Sequence, residues 1–290
     1  MASLKEVKGR ILSVNNTLKI TSAMKMVASA KLHKAQADIE GMLPYSQNLS
    51  IIMTHFLQAV EKVETPFSRQ REVKRVALVI FSSNSSLCGA YNSNVTKLFH
   101  KWVETYKNLP KENIVVFAIG RKIADAVKKI GFNPVGDFWR LANKPNYADC
   151  AKLAEALCNR FLSGDLDRVD LIYHHFKSTA SQVLINSTYL PLDMSEVAQV
   201  NNNKELLSYY FLEPTEQELL EKLIPEVLKL KIYTALLDSN ASEHAARSMA
   251  MQIATDNAQE LIQELTVLYN KGRQQAITNE LLDIVGGTMA

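Results

Sequence analysis

Residues 4–42 read LKEVKGRILSVNNTLKITSAMKMVASAKLHKAQADIEGM, and their spacing decides the fold. Steps of three and four pick out Leu4, Val7, Ile11, Val14, Leu18, Thr21, Lys25, Ala28, Leu32, Ala35, Ile39 and Met42. Ten of these twelve are apolar, where a 47% apolar composition supplies about six. A heptad sustained this long is the signature of a coiled-coil strand. Forty residues of helix span roughly 60 Å. Gly41 and Pro44 mark the expected break. Thr21 and Lys25 interrupt the stripe, and a polar residue there sets register or marks contact with another partner.

Working outward, the other end of the chain carries the matching signal. All eight prolines lie between Pro44 and Pro225. Proline is excluded from helix interiors because it lacks an N–H and clashes with the preceding turn, so two long terminal helices are expected. The second runs from Glu226 to Val285, roughly 90 Å as a continuous helix, with Pro225 in its first turn and Gly286-Gly287 as its stop. Its stripe is taken as Ala250, Ala254, Ala258, Leu261, Leu265, Leu268, Gly272 and Ala276, small enough in places for close approach. Residues 1–43 carry net charge +4 and residues 226–290 net −3, which favours pairing, although exposed pairs are individually weak. Neither helix persists alone without burying its stripe. The expected architecture is a long antiparallel coiled coil of the N- and C-terminal helices with an inserted Rossmann-like α/β domain. Its segments are 1–60, 70–213 and 214–290.

The middle alternates strand and helix. Val73–Phe81, Ile114–Ile119, Val169–Phe176 and Gln182–Tyr189 read as strands. Helices are expected within Tyr91–Tyr106, over Arg121–Ile130 and over Asn146–Leu162. Such alternation implies a largely parallel sheet.

Composition excludes several classes. The 290 residues carry 33 basic and 30 acidic side chains, a near-balance that argues against a general nucleic-acid coat. Cys88, Cys150 and Cys158 are odd in number and widely spaced, which suits neither a disulfide framework nor a zinc set; a reducing compartment is expected. The longest apolar runs, Val76–Phe81 and Ile114–Ile119, are strand-sized, far below a membrane span. The first residues lack the apolar core of a secretory signal.

Candidate chemistry is sparse. Ser82–Ser86 follows the first strand, where open α/β sheets bind ligands, but it lacks the glycine patterns that cradle phosphate and reads as a structural turn. Cys88 has no identifiable base to make it a nucleophile. His174 and His175 are adjacent on a strand and face opposite ways, so one is expected buried and one exposed. His33, His55, His100 and His244 read as surface residues, Cys150 and Cys158 as core. No catalytic residue, metal site or cofactor is expected, and the shape favours a mechanical or assembly role.

Four stretches carry a family resemblance: Lys19–Gln36 (KITSAMKMVASAKLHKAQ), Leu87–Gly89 (LCG), Ser242–Ala258 (SEHAARSMAMQIATDNA) and Tyr269–Gly287 (YNKGRQQAITNELLDIVGG). Together they resemble the gamma subunits of F-type ATP synthases, bacterial type, over essentially the whole chain. The core Ile277-Thr278-x-Glu280-x-x-Asp283-x-x-x-Gly287 is similar to that family's terminal signature. Thr288, Ser86 and Gly272 depart from the usual alanine, glycine and alanine. The regulatory cysteine pair of the plastid version is not evident.

The resemblance implies a central rotor stalk that couples proton flow to ATP synthesis and hydrolysis on beta subunits, without a catalytic site of its own. It implies contact with the alpha and beta head through Met24, Lys25 and Met26 of the first helix and Lys271, Arg273, Gln274, Thr278 and Glu280 of the last. The tail Leu281–Met289 is expected in an apolar sleeve of that head. Tyr210, with Glu213-Pro214 beyond it, is expected in the foot near the epsilon subunit and the proteolipid c ring. The expected location is the cytoplasmic side of the inner membrane, reached through the complex only. Two other classes compete: an α/β enzyme using the Ser82–Ser86 loop on a phosphorylated ligand, and a free coiled-coil scaffold.

Overall fold

The computed structural model describes residues 3–59, 65–192 and 216–288. In order these form α1 (Leu4–Ala59), β1 (Val76–Phe81), α2 (Tyr91–Thr105), β2 (Ile114–Ile119), α3 (Arg121–Lys129), α4 (Trp139–Asn143), α5 (Tyr147–Leu162), β3 (Arg168–Phe176), β4 (Gln182–Leu190) and α6 (Glu216–Thr288). The chain divides into two compact units. One comprises Met1–Ala30 with Arg247–Ala290, the other Lys31–Ala246.

The larger unit is built on a four-stranded sheet of order β2-β1-β3-β4. β1 pairs parallel with β2 and with β3, while β4 returns antiparallel on β3. Every residue of β1 and β2 is buried, as expected for parallel strands covered on both faces. On one face Ala77, Val79, Phe81, Val169 and Leu171 pack with Leu153 and Leu157 of α5 and Ile224, Leu228 and Ile232 of α6. On the other, Leu78, Ile80, Val116 and Ile172 meet Val95, Phe99 and Trp102 of α2 and Ile123 and Val127 of α3. The alternating directions of strand residues make this a three-layer α/β arrangement. Asn146 caps α5, its side chain accepting from the Ala148 amide at 2.9 Å. Within the same unit Leu32 and Ala35 of α1 pack against Ala241 and Ala245 of α6.

The smaller unit is a pair of helices. Contacts join Leu4 to Gly272, Thr21 to Thr255 and Ser29 to Ser248. Numbers rise along α1 as they fall along α6, so the pair is antiparallel. All twelve heptad positions read from residues 4–42 are buried or half-buried.

Four sequence expectations are corrected. Pro44 does not end α1, because Leu49 and Met53 continue its buried stripe beyond it. Pro225 sits inside α6 rather than in its first turn; Leu220, Ile224 and Leu228 form one buried stripe through it. The helix passes Gly286-Gly287 to Thr288. The α6 seam runs through Met251, Thr255, Ala258, Ile262, Leu265, Tyr269, Gly272 and Ala276, while Leu261 and Leu268 are exposed. Strict alternation of four and three from Met251 places 262 and 269 on the seam, whereas the expected stripe, also in steps of three and four, follows the neighbouring Leu261 and Leu268.

Candidate partner interface

The loop after β1 is spent on itself. Ser83 Oγ donates to the Ser85 carbonyl at 2.6 Å, and Asn92 Nδ2 donates to Ser83 Oγ at 2.8 Å. Ser82 Oγ accepts from the Ile123 amide at 3.1 Å, capping the approach of α3. Asn84 bridges the Arg121 amide and the Trp139 carbonyl. Gly120 (φ 109°) lies so near Ser82 that an added Cβ would stand 2.3 Å from its carbonyl oxygen, so only glycine fits. These bonds occupy Ser82 and Ser83, and the loop acts as a joint between strands. Cys88, Cys150 and Cys158 are all buried, and burial pushes the Cys150 thiol up to about 12.

The two histidines behave as alternation requires. His174 is buried and stacks on Tyr91, ring centroids 4.3 Å apart. Burial depresses its pKa to about 4. His175 faces out, its Nδ1 2.7 Å from Asp238 Oδ2; burial raises that carboxyl above its usual range. His33 and His100 are exposed, but His244 is buried, a correction, because it lies on the α6 stretch that faces the core. The side chain of His55 lies outside the described residues. Among the described residues no cluster of His, Cys, Asp and Glu is placed to hold a metal ion, and no helix is long and apolar enough to cross a membrane.

The helical pair offers a different kind of site, a surface. Met24 and Lys25 are half-buried and Met26 is 65% exposed. Thr21 is buried in the seam, with its Oγ1 2.9 Å from Thr255 Oγ1. Lys271, Arg273, Gln274, Thr278 and Glu280 are exposed along the far part of α6. Thr278 Oγ1 is turned back to the Gln274 carbonyl at 2.9 Å. Met24–Met26 and the α6 group are therefore accessible on this unit but not gathered into one cluster. Tyr210, Glu213, Pro214 and Met289 lie outside the described residues.

Apolar residues also lie off the seam; sequence reasoning singled out those of the Leu281–Met289 tail and missed the rest. Leu12, Ile20 and Val27 of α1 are exposed, as are Ile253, Val267, Ile277, Leu281, Leu282, Ile284 and Val285 of α6. Scattered single apolar residues are ordinary. Four within five residues at the end of a helix form a patch that needs a cover. The available signal was the heptad itself: an apolar residue outside the stripe of an amphipathic helix faces something other than its helical partner.

An ATP synthase family model matches residues 3–290. The chain is 59% identical to the ATP synthase gamma chain of Phocaeicola vulgatus across the full length of both. It is 60% identical to that of Bacteroides fragilis strain ATCC 25285, again across both full lengths. Among solved structures, its fold is similar to a chain of the Euglena gracilis mitochondrial ATP synthase OSCP/F1/c-ring assembly, with TM-score 0.64 and 18% identity over 99% of this chain and 93% of that one. It is also similar to a chain of the Tetrahymena thermophila mitochondrial ATP synthase central stalk and c-ring, with TM-score 0.57 and 24% identity over 81% and 99%.

Proposed function

This chain belongs to the ATP synthase gamma-chain family of bacterial F-type enzymes, a non-catalytic stalk subunit, and from that premise we propose how it couples proton flow to ATP synthesis and hydrolysis. The paired helices turn inside a head of alpha and beta subunits. Met24, Lys25, Met26, Lys271, Arg273, Gln274, Thr278 and Glu280 face that head, and Leu281–Met289 occupies an apolar sleeve. Segment 70–213 serves as a foot toward the epsilon subunit and the proteolipid c ring, with Tyr210 on that side, and 1–60 with 214–290 form the shaft. The complex holds the chain at the cytoplasmic side of the inner membrane.

One observation carries this reading: the helical pair displays apolar side chains along both strands and at its end, beyond those its own seam uses. A rod biases several sites differently only if each meets a different face of it, and the exposed residues of α1 and α6 are unlike. Arginine and glutamine suit such a contact because they donate to loop carbonyls while remaining solvated. ATP chemistry resides on the partners, so the purified chain is expected to bind no ATP at micromolar concentration by calorimetry.

The test is to tag the chain, release peripheral proteins from its host's membranes, and measure which subunits and what ATPase activity accompany it. Alpha and beta subunits in excess over the chain, with ATPase activity, are expected. Recovery of the chain alone from intact complexes overturns the reading. Within the complex, Lys25→Glu should weaken ATP-driven proton pumping more than expression; unchanged pumping in vesicles removes Lys25 from the coupling contact.

A further inference from the structure

The seam of the helical pair is apolar along most of its length, yet it holds two hydroxyl pairs. Thr255 Oγ1 lies 2.9 Å from Thr21 Oγ1, and Ser29 Oγ lies 2.9 Å from Ser248 Oγ. Thr21 Oγ1 also lies 3.1 Å from the Leu18 carbonyl and Thr255 Oγ1 2.7 Å from the Met251 carbonyl; each hydroxyl has one hydrogen, so one of the two donates across the pair while the other donates to its own helix. Thr21 and Ser248 are both buried, Thr255 is half-buried, and Ser29 stands exposed at the edge of the seam beside Ala28. A third feature is one of size. A Cβ at Gly272 would stand 3.1 Å from Leu4 Cδ2, so Leu4 packs where α6 has no side chain.

A heptad seam tolerates slip by one repeat, because apolar positions recur every seven residues. Such a slip moves one helix about 10 Å along the other. Here each slip breaks a pairing. In one direction Thr21 meets Ile262 while Ser29 meets Thr255. In the other Thr21 meets Ser248, but Ser29 meets Ala241. Leu4 loses its gap at Gly272 in both. Only the observed register satisfies both hydroxyl pairs and the gap together.

We propose that Thr21–Thr255 and Ser29–Ser248, with Leu4 seated on Gly272, are positioning residues that lock the axial register of the two shaft helices under load. A polar residue at a seam position specifies register at a cost in stability. What the register sets is spacing. With Thr21 opposite Thr255, residues 24–26 come level with 250–252, some twenty residues short of Lys271. The two groups of head-facing residues then form tiers roughly 30 Å apart. A slip of one heptad shifts the α1 tier relative to the α6 tier by a third of that distance. This inference rests on the stalk reading above.

The experiment uses the assembled enzyme in membrane vesicles and three cysteine pairs. Leu18→Cys with Ala258→Cys reports the observed register, and Leu18→Cys with Leu265→Cys and Ile11→Cys with Ala258→Cys report the two slipped ones, all at seam positions that leave Leu4, Gly272 and the hydroxyl pairs in place. A disulfide needs Cα atoms within about 7 Å, so a displacement near 10 Å separates the reports. The native cysteines are buried. With an added mild oxidant, the parent is expected to give the 18–258 product and neither slipped product. Removing the hydroxyls by Thr21→Val with Ser29→Ala should bring out the 18–265 or the 11–258 product and lower protons pumped per ATP hydrolysed about twofold, at unchanged subunit composition. Thr21→Ser with Ser29 intact should restore the parent register and pumping. Absence of both slipped products in the double variant, or unchanged pumping despite one, overturns the proposal. If the double variant does not assemble, Thr21→Val and Ser29→Ala decide singly in the same assay. A parent chain that fails to assemble with a head and pump overturns the stalk reading instead.

Discussion

Two stretches of α6 make opposite uses of the same kind of residue. Between Ile224 and Ala245 the helix is buried on most sides, closing one face of the sheet with Leu228, Ile232 and Leu236. From Ile253 to Gly272 it has one partner helix, whose first residue Leu4 lies at Gly272, and farther along it runs past the start of α1; it shows Val267, Leu282 and Ile284 to solvent. In the first stretch apolar side chains stabilise the unit that contains them. In the second they stabilise it little and await something else. A helix sequence therefore states that an apolar residue will be covered, but not by whom.

The largest expected effect sharpens that contrast. Leu228→Ala removes a fully buried side chain and should cost about 3 kcal/mol, read from urea unfolding of the isolated chain. Leu282→Ala, at a 64% exposed position, should cost under about 0.5 kcal/mol there yet reduce recovery of the assembled complex. Equal effects of the two on unfolding would erase the distinction. Close behind is Asp170, whose buried carboxylate accepts from Trp102 Nε1 at 2.8 Å, Tyr106 Oη at 3.1 Å and Arg168 Nε at 2.9 Å. Asp170→Ala leaves three donors without their acceptor and should cost about 2–3 kcal/mol in the same assay.

A pH dependence belongs to the sheet unit as well. His174 has its pKa depressed by burial to about 4, against 6.5 when unburied. Below pH 6.5 the unfolded chain takes up a proton that the folded chain refuses, so stability falls as pH drops toward 4 and is unaffected above 6.5. The full loss is about 3 kcal/mol. Urea midpoints between pH 7 and pH 4.5 should slope accordingly, and His174→Phe, which keeps a ring against Tyr91, should flatten that slope. The smallest effect lies in the pair. Gly272→Ala gains helix propensity, about 1 kcal/mol, against crowding of the movable end of Leu4, and should raise the melting temperature slightly. A lower one would show that Leu4 cannot give way.

Much of this was legible in the chain. The strands appear within a few residues because buried parallel strands are continuous apolar runs. β1 starts at Val76, not Val73, since the amides of Lys74 and Arg75 both donate to Asp167 Oδ2 at 2.9 Å instead of to a neighbouring strand. The α1 seam was readable over residues 4–42 because its apolar residues fall on one heptad, and its continuation through Leu49 and Met53 was not. The α6 seam was read only in part, because Ile262 and Tyr269 occupy seam positions while Leu261 and Leu268 lie exposed beside them. Pro44 and Pro225 misled because one missing N–H is outweighed by a buried stripe that continues past it. The candidate head-facing residues came through motif resemblance. Burial adds only that they are open or half-open, since periodicity separates a helix's faces without identifying an absent neighbour.

The end of α6 has a consequence for the cell. Leu281, Leu282, Ile284 and Val285 are all more than half exposed. A copy made without its partners carries this adhesive tip, which chaperones and proteases that survey exposed apolar segments would engage. Its standing amount would then follow the supply of those partners more closely than the rate of its own synthesis.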